Sequence, residues 1–164
     1  MTMEDLLVGC IYLPNGNPQP GPKFDYKLEW VKRITTHARK LLRQGVPVVL
    51  AGDYNVAPTA IDIYPTKSWD NDALVQPASR AAYARLVKQG WTNAIRTLHG
   101  EERVYTFWHY MRNCWQRDAG LRLDHFLLSP ALKSRLKAAA IDRSARGKEN
   151  ASDHAPVWIT LADG

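Results

Sequence analysis

Val46-Pro47-Val48-Val49-Leu50-Ala51-Gly52-Asp53-Tyr54-Asn55 is an apolar run that ends in a turn carrying an acid and an amide. A short apolar run bounded by glycine predicts a buried strand, and Gly52 lets the chain turn sharply where that strand ends. Asp53 and Asn55 are two residues apart, which on an extended backbone puts both side chains on one side. A carboxylate that can take a proton, beside an amide that orients a water or a phosphate oxygen, suits general acid–base work. Gly-Asp-Tyr-Asn is equally good turn chemistry, so the residues alone leave both readings open.

On the N-terminal side, Leu6 to Leu13 is nearly continuous in apolar residues and predicts a strand buried on both faces, with Cys10 a small core residue. The proline- and glycine-rich stretch Pro14 to Pro22 must be loop. From Phe24 to Gln44, Leu28, Val31, Ile34, Ala38, Leu41 and Leu42 recur at helical steps, and Gly45 closes the helix. On the C-terminal side, Val56 to Pro77 is irregular, and Ser79 is expected to cap a second helix running to Gln89. Trp91–Leu98 and Arg103–Tyr110 read as strands, as do Leu121–Leu128, Ala138–Arg143 and Ala155–Leu161. Pro130–Lys137 reads as a short turn or helix and Arg143–Asn150 as a charged loop. Strands interspersed with helices, without repeats or linkers, give an α/β (α+β) domain.

The 164 residues suffice for one domain with a core, and 45% hydrophobic residues exclude a disordered chain. The net charge of +6 favours a polyanionic partner without naming one. Two cysteines are a poor disulfide framework, so a reducing, cytoplasmic setting is expected. No apolar run reaches the length of a membrane span.

Two further patches carry acids or an imidazole at the junction of strand and loop. Arg122-Leu123-Asp124 runs into an apolar strand, and a carboxylate in that setting needs a partner. Ser152-Asp153-His154 precedes the last strand, and His154 is the partner chosen for Asp124, because a carboxylate keeps an imidazole protonated and aimed. Asp153 is a hard oxygen donor for a divalent cation. Tyr12, ending the first strand, offers a phenol to a phosphate, although a rim tyrosine is the commoner use of such a position. Tyr105 to Tyr110 is the densest aromatic run, and alternation sends half of it into the core.

In order along the chain, Tyr12-Leu13-Pro14-Asn15-Gly16, Ala51-Gly52-Asp53-Tyr54-Asn55-Val56-Ala57-Pro58, Tyr105-Thr106-Phe107-Trp108, Gly120-Leu121-Arg122-Leu123-Asp124-His125-Phe126-Leu127-Leu128-Ser129 and Ser152-Asp153-His154-Ala155-Pro156-Val157 resemble the exonuclease III family, the abasic-site endonucleases of the endonuclease/exonuclease/phosphatase superfamily. The resemblance runs from about Leu6 to the end of the chain. It implies a four-layer αββα sandwich and Mg²⁺- or Mn²⁺-dependent hydrolysis of DNA phosphodiesters. The activities implied are 3′→5′ exonuclease, abasic-site endonuclease and 3′-phosphatase, with double-stranded DNA as partner, especially abasic or 3′-blocked ends, and a monomer when full-length. It assigns catalytic parts to Tyr12, Asp53, Asn55, Asp124 and His154. Asn15 would contact the phosphate, and Phe107, Leu121 and Leu123 would line the abasic-sugar pocket. The metal would lie by Asp53, Asn55 and Asp153.

The family opens with an Asn-bearing strand and a second strand ending in Gln-Glu, and neither a Trp-Asn nor a Gln-Glu dipeptide occurs in this chain. Residues 1–164 are therefore expected to be the C-terminal portion of a single domain, lacking the N-terminal strands, with open sheet edges and low stability when made alone. A non-catalytic DNA-binding fragment, or half of a split enzyme, is the alternative reading.

Overall fold

The computed structural model describes residues 6–163. A strand, β1 (Leu7–Tyr12), leads through the proline-rich loop into a long helix, α1 (Pro22–Gln44), and on to β2 (Val48–Asp53). β1 and β2 are parallel, as a strand–helix–strand crossover requires. Then follow α2 (Pro77–Val87), β3 (Thr92–Asn93), α3 (Ala94–His99), β4 (Asp124–Leu128), α4 (Pro130–Lys133), β5 (Leu136–Ile141), α5 (Arg143–Arg146) and β6 (Val157–Leu161). One sheet has the order β1-β2-β4-β3, with β4 antiparallel to both β2 and β3, and β5 pairs with β6 in a second sheet.

Alternation along β2 and β4 sorts the core into two halves. Val48, Leu50 and Leu127 face the helices and pack with Val31, Ala38 and Leu41 of α1 and Leu86 of α2. Val49 and Leu128, with Ala51 and Phe126, face the second sheet and meet Ala139, Val157 and Ile159. The layers are thus helices, sheet and sheet, an α/β fold as expected. On β6, Trp158 and Thr160 look outward and are exposed, so among the described residues no helix layer covers that face of the strand.

Gly45 ends α1 as expected, in the left-handed conformation at φ 71°, with its N–H donating to Leu42 O at 3.3 Å. Gly52 is needed for a different reason: at φ 134° a Cβ there would fall 2.0 Å from Ile11 O of β1.

Several elements differ from expectation. β1 is not buried on both faces: Ile11 packs into the helix-side core, but Leu7 is 44% exposed and Val8 63%, and Cys10 is exposed too. Val8, Cys10 and Tyr12 stand on the face of the first sheet that β5 and β6 cover only farther in, and β1 is an edge strand among the described residues. Ser79 does not cap α2. Pro77 opens that helix, and the Ser79 hydroxyl donates to Ala73 O at 2.7 Å from inside it. Trp91–Leu98 is not a strand beyond Thr92–Asn93, because the Asn93 side chain accepts from Arg96 N and starts α3. Arg103–Tyr110 forms only isolated bridges, Phe107 to Leu121 and Phe107 to His154. The expected charged loop from Arg143 opens instead with the short helix α5, capped by Asp142 just before it.

Candidate active site

Strand register builds the site. Tyr12 pairs with Asp53 across β1 and β2, and Asp53 with Asp124 across β2 and β4, so the three side chains form one row on the face toward the second sheet. The row lies at the strand ends, where the sandwich opens. His154 reaches it from the loop before β6. That loop is tied to the chain around Phe107: Trp108 N donates to Asp153 O and Ala155 N to Thr106 O, both at 2.8 Å.

Asp53 and Asn55 close the turn that Gly-Asp-Tyr-Asn allows. Asn55 N donates to Asp53 Oδ1 at 2.7 Å and Asn55 Nδ2 to Asp53 Oδ2 at 2.9 Å, a side-chain-closed turn. Asn55 sits at φ 47° and is held there. Its Nδ2 also donates to Leu13 O at 2.7 Å, and its Oδ1 accepts from Asn15 Nδ2 at 3.3 Å. Burial pushes the Asp53 carboxyl up to about 6; the Asn55 N–H opposes this, the Asp124 charge adds to it, and the charges of His154 and Lys27 oppose it. Near neutrality such a group can both take and return a proton.

The Asp124–His154 pair forms. His154 Nδ1 donates to Asp124 Oδ2 at 2.8 Å, which leaves Nε2 for another partner. Burial works against the imidazolium. The Asp124 hydrogen bond and charge, with the charges of Asp53 and Asp153, outweigh it, so His154 titrates above the ordinary histidine value. The Phe107 ring lies 5.0 Å from the His154 ring and limits its rotation.

The other expected residues scatter in character. Tyr12 is in the row but 77% exposed. Asn15 is exposed beside Asn55, and Asp153 is half-buried. Leu121 and Leu123 do not line an open pocket. They are 0% and 2% exposed, in one core cluster with Phe107, because Leu121 and Phe107 exchange both backbone hydrogen bonds at 2.9 Å. A cavity of ≈ 300 Å³ does open near Trp69, whose ring contacts Phe107, and His109, Met111 and Cys114 help to wall it.

Three contributors escaped sequence reasoning. Thr106 is fully buried, and its Oγ1 accepts from Leu123 N at 3.0 Å and Asp124 N at 3.1 Å, while its carbonyl holds the His154 loop. It joins the two halves of the pair, and nothing in its sequence position signals this. Arg122 is buried against Asp62. Lys27 is 1% exposed, and its place on the stripe Lys27, Val31, Ala38, Leu41 of α1 was a readable signal.

The model of the Endonuclease/Exonuclease/phosphatase family matches residues 4–154. The chain belongs to this family. It is 30% identical to an exodeoxyribonuclease of Bacillus subtilis over 162 residues, 98% of this chain and 62% of that protein. It is 34% identical to the DNA repair nuclease APEX1 of Danio rerio over 164 residues, 96% of this chain and 49% of that protein. A 3′ phosphatase from Neisseria, solved with a product DNA hairpin, superposes with a TM-score of 0.90 at 34% identity, covering 94% of this chain and 60% of that one. These relatives put it in the exonuclease III and abasic-site endonuclease branch. The chain spans about half to three fifths of the length of the relatives it matches.

Nucleases of this family generally depend on a divalent metal. Among the described residues no three His, Cys, Asp or Glu side chains converge to hold one. Asp53 offers hard oxygens, but both accept hydrogen bonds from Asn55. The donors present do not by themselves make a coordination shell.

Proposed function

We propose that this chain carries the proton-transfer and phosphate-holding part of a DNA-repair nuclease that hydrolyses phosphodiesters. The observation that carries the reading is the placement of the Asp124–His154 pair one strand from Asp53, whose carboxyl is poised near neutrality. In this reading Asp53 takes a proton from the attacking water or gives one to the leaving oxygen. Asn55 and Asn15 orient that water or a phosphate oxygen, and Tyr12 offers its phenol from the neighbouring strand. The His154 imidazolium, aimed by Asp124, stabilises charge that develops on the phosphate. Phe107 faces the sugar.

The substrate is double-stranded DNA with an abasic site or a blocked 3′ end. Support comes from the net charge of +6 and from the exodeoxyribonuclease, DNA-repair nuclease and 3′ phosphatase that the chain resembles. A Mg²⁺ or Mn²⁺ ion would supply charge stabilisation at the phosphate, and Asp53, Asn55 and Asp153 would be this chain's share of its oxygen donors, short of a full shell on their own. Two free cysteines suit the cytoplasm.

A second reading, a DNA-binding piece or half of a split enzyme, is favoured by the lack of a converging ligand cluster among the described residues. One assay separates the two. The chain and its Asp53→Asn variant are incubated with an abasic-site duplex and Mg²⁺. Incision by the parent that the variant loses supports the nuclease. Binding without incision supports the second reading.

A further inference from the structure

Lys27 is a charged side chain at a position of α1 that packs inward with Val31, Ala38 and Leu41. A buried ammonium is costly unless its donors are satisfied, and a leucine or methionine would fill the same stripe without that cost. What the ammonium adds is a junction. Its three donors meet three carbonyls: Asn15 O at 2.9 Å, Asn55 O at 2.6 Å and Ala73 O at 3.2 Å. Each carbonyl belongs to a different segment, the loop after β1, the loop after β2 and the chain before α2.

Other bonds close the same junction. Asn17 Oδ1 accepts from Ala73 N at 2.9 Å, and Asn17 Nδ2 donates to Asn15 Oδ1 at 2.8 Å and Asp72 Oδ1 at 3.0 Å. The loop after β1 lies so close to the Lys27 stem that a Cβ on Gly16 would come 2.6 Å from Lys27 Cδ. Asn55, in the left-handed region, has its N–H held by Asp53 and its carbonyl by Lys27.

We propose that Lys27 is a positioning residue, whose hydrogen bonds to the carbonyls of Asn15, Asn55 and Ala73 fix where the Asn15 and Asn55 side-chain amides stand relative to Asp53. The catalytic meaning of that placement rests on the proposed function; the placement itself does not.

The test compares the chain with Lys27→Met, which keeps the unbranched stem without donors, and Lys27→Gln, which keeps two. Hydrogen exchange and the side-chain amide resonances of Asn15 and Asn55 are recorded for each. In Lys27→Met, exchange at Asn17, Asn55 and Ala73 should rise together by about ten- to a hundredfold. Amides in the middle of β2 and β4 should keep their protection, and both asparagine resonances should move. Lys27→Gln should fall between Lys27→Met and the parent, and it decides by the same criteria if Lys27→Met does not fold. A rise confined to one segment, a rise shared by the whole sheet, or unmoved asparagine resonances would overturn the proposal.

These readouts need no nuclease activity, so a chain that fails to incise DNA defeats the functional reading and leaves the junction decided on its own. If the parent does incise, the variant should lose turnover about tenfold with KM within about twofold, the mark of misplaced groups rather than lost affinity. An unchanged kcat would show that the junction does not serve the chemistry.

Discussion

Two carboxylate–cation pairs end on Arg122 and Asp124, on either side of Leu123, and they are built for different purposes. Asp62 and Arg122 are 0% and 1% exposed at the side chain. Asp62 Oδ1 accepts from Arg122 Nε at 2.8 Å and from Arg96 Nη2 at 2.9 Å, and its Oδ2 accepts from Thr59 N and Oγ1. Burial alone would raise the Asp62 carboxyl, but Arg122 together with Thr59 and Arg96 brings it below the usual carboxylate range. The Asp124–His154 pair is more open, 18% and 30% exposed, and its cation can give up its proton. Guanidinium stays charged at any pH a protein survives, whereas imidazole does not. The closed pair stays charged and in place, and the open pair can exchange its proton with solvent.

The largest expected effect separates them by stability. Asp62→Ala strands Arg122 in the core and removes the acceptor that three other groups share. Breaking a buried pair from one side costs about 3–5 kcal/mol, which urea unfolding would measure. A loss under about 1 kcal/mol would mean that water reaches Arg122 and that the two pairs are not different in kind.

Asp124→Asn should show the reverse profile. The amide keeps a hydrogen-bond partner for His154 Nδ1 but removes the charge. Stability should change by less than about 1 kcal/mol, since the pair is partly open to water. The His154 titration, followed by NMR, should move down toward the ordinary histidine value. On the proposed function, incision should slow by about a hundredfold as the cation is lost. An unmoved His154 titration would assign its charge to Asp53 and Asp153 instead.

The open pair was legible in the sequence and the closed one was not, for physical reasons. Asp124 sits beside an apolar run, and a carboxylate there needs a partner, which the next imidazole-bearing strand end supplies. Arg122 and Lys27 carry full charges, and charge in a sequence reads as surface unless the periodicity around it says otherwise. For Lys27 it did say otherwise, because Val31, Ala38 and Leu41 continue its stripe. Asp62 lies in an irregular stretch where no periodicity exists to read. The strands β2 and β4 were legible because each is apolar and central. β1 is just as apolar, yet its composition did not reveal that Val8, Cys10 and Tyr12 are exposed. Trp91–Leu98 failed because one cap, Asn93, overrides several residues of strand propensity.

The smallest expected effect tests whether the closed pair is closed to protons as well. His125 is fully buried, 4.8 Å ring to ring from Tyr83 and 5.4 Å from Tyr54. Arg122 Nη1 donates to its Nδ1 at 2.5 Å, so the ring proton is on Nε2, which donates to Val56 O at 3.1 Å. Burial, then the Arg122 charge, hold His125 well below the ordinary histidine value; the Val56 carbonyl and Asp62 oppose this, and Arg96 adds to it. The unfolded chain therefore takes up this proton first as pH falls below about 6.5, and the stability that His125 contributes is full above that pH and lost on acidification. Gln at 125 can accept from Arg122 and donate to Val56 O without titrating. Urea unfolding at several pH values should show His125→Gln gaining on the parent as pH falls below about 6.5, by up to about 1.4 kcal/mol per pH unit. His99 and His154 titrate above their ordinary values and give the opposite slope, but they are present in both proteins and cancel in the difference. Parallel stability curves would mean that His125 binds its proton equally well folded and unfolded. The core around Asp62 and Arg122 would then be as open to protonation as the pair at Asp124, and the division between a fixed pair and a working pair would fail.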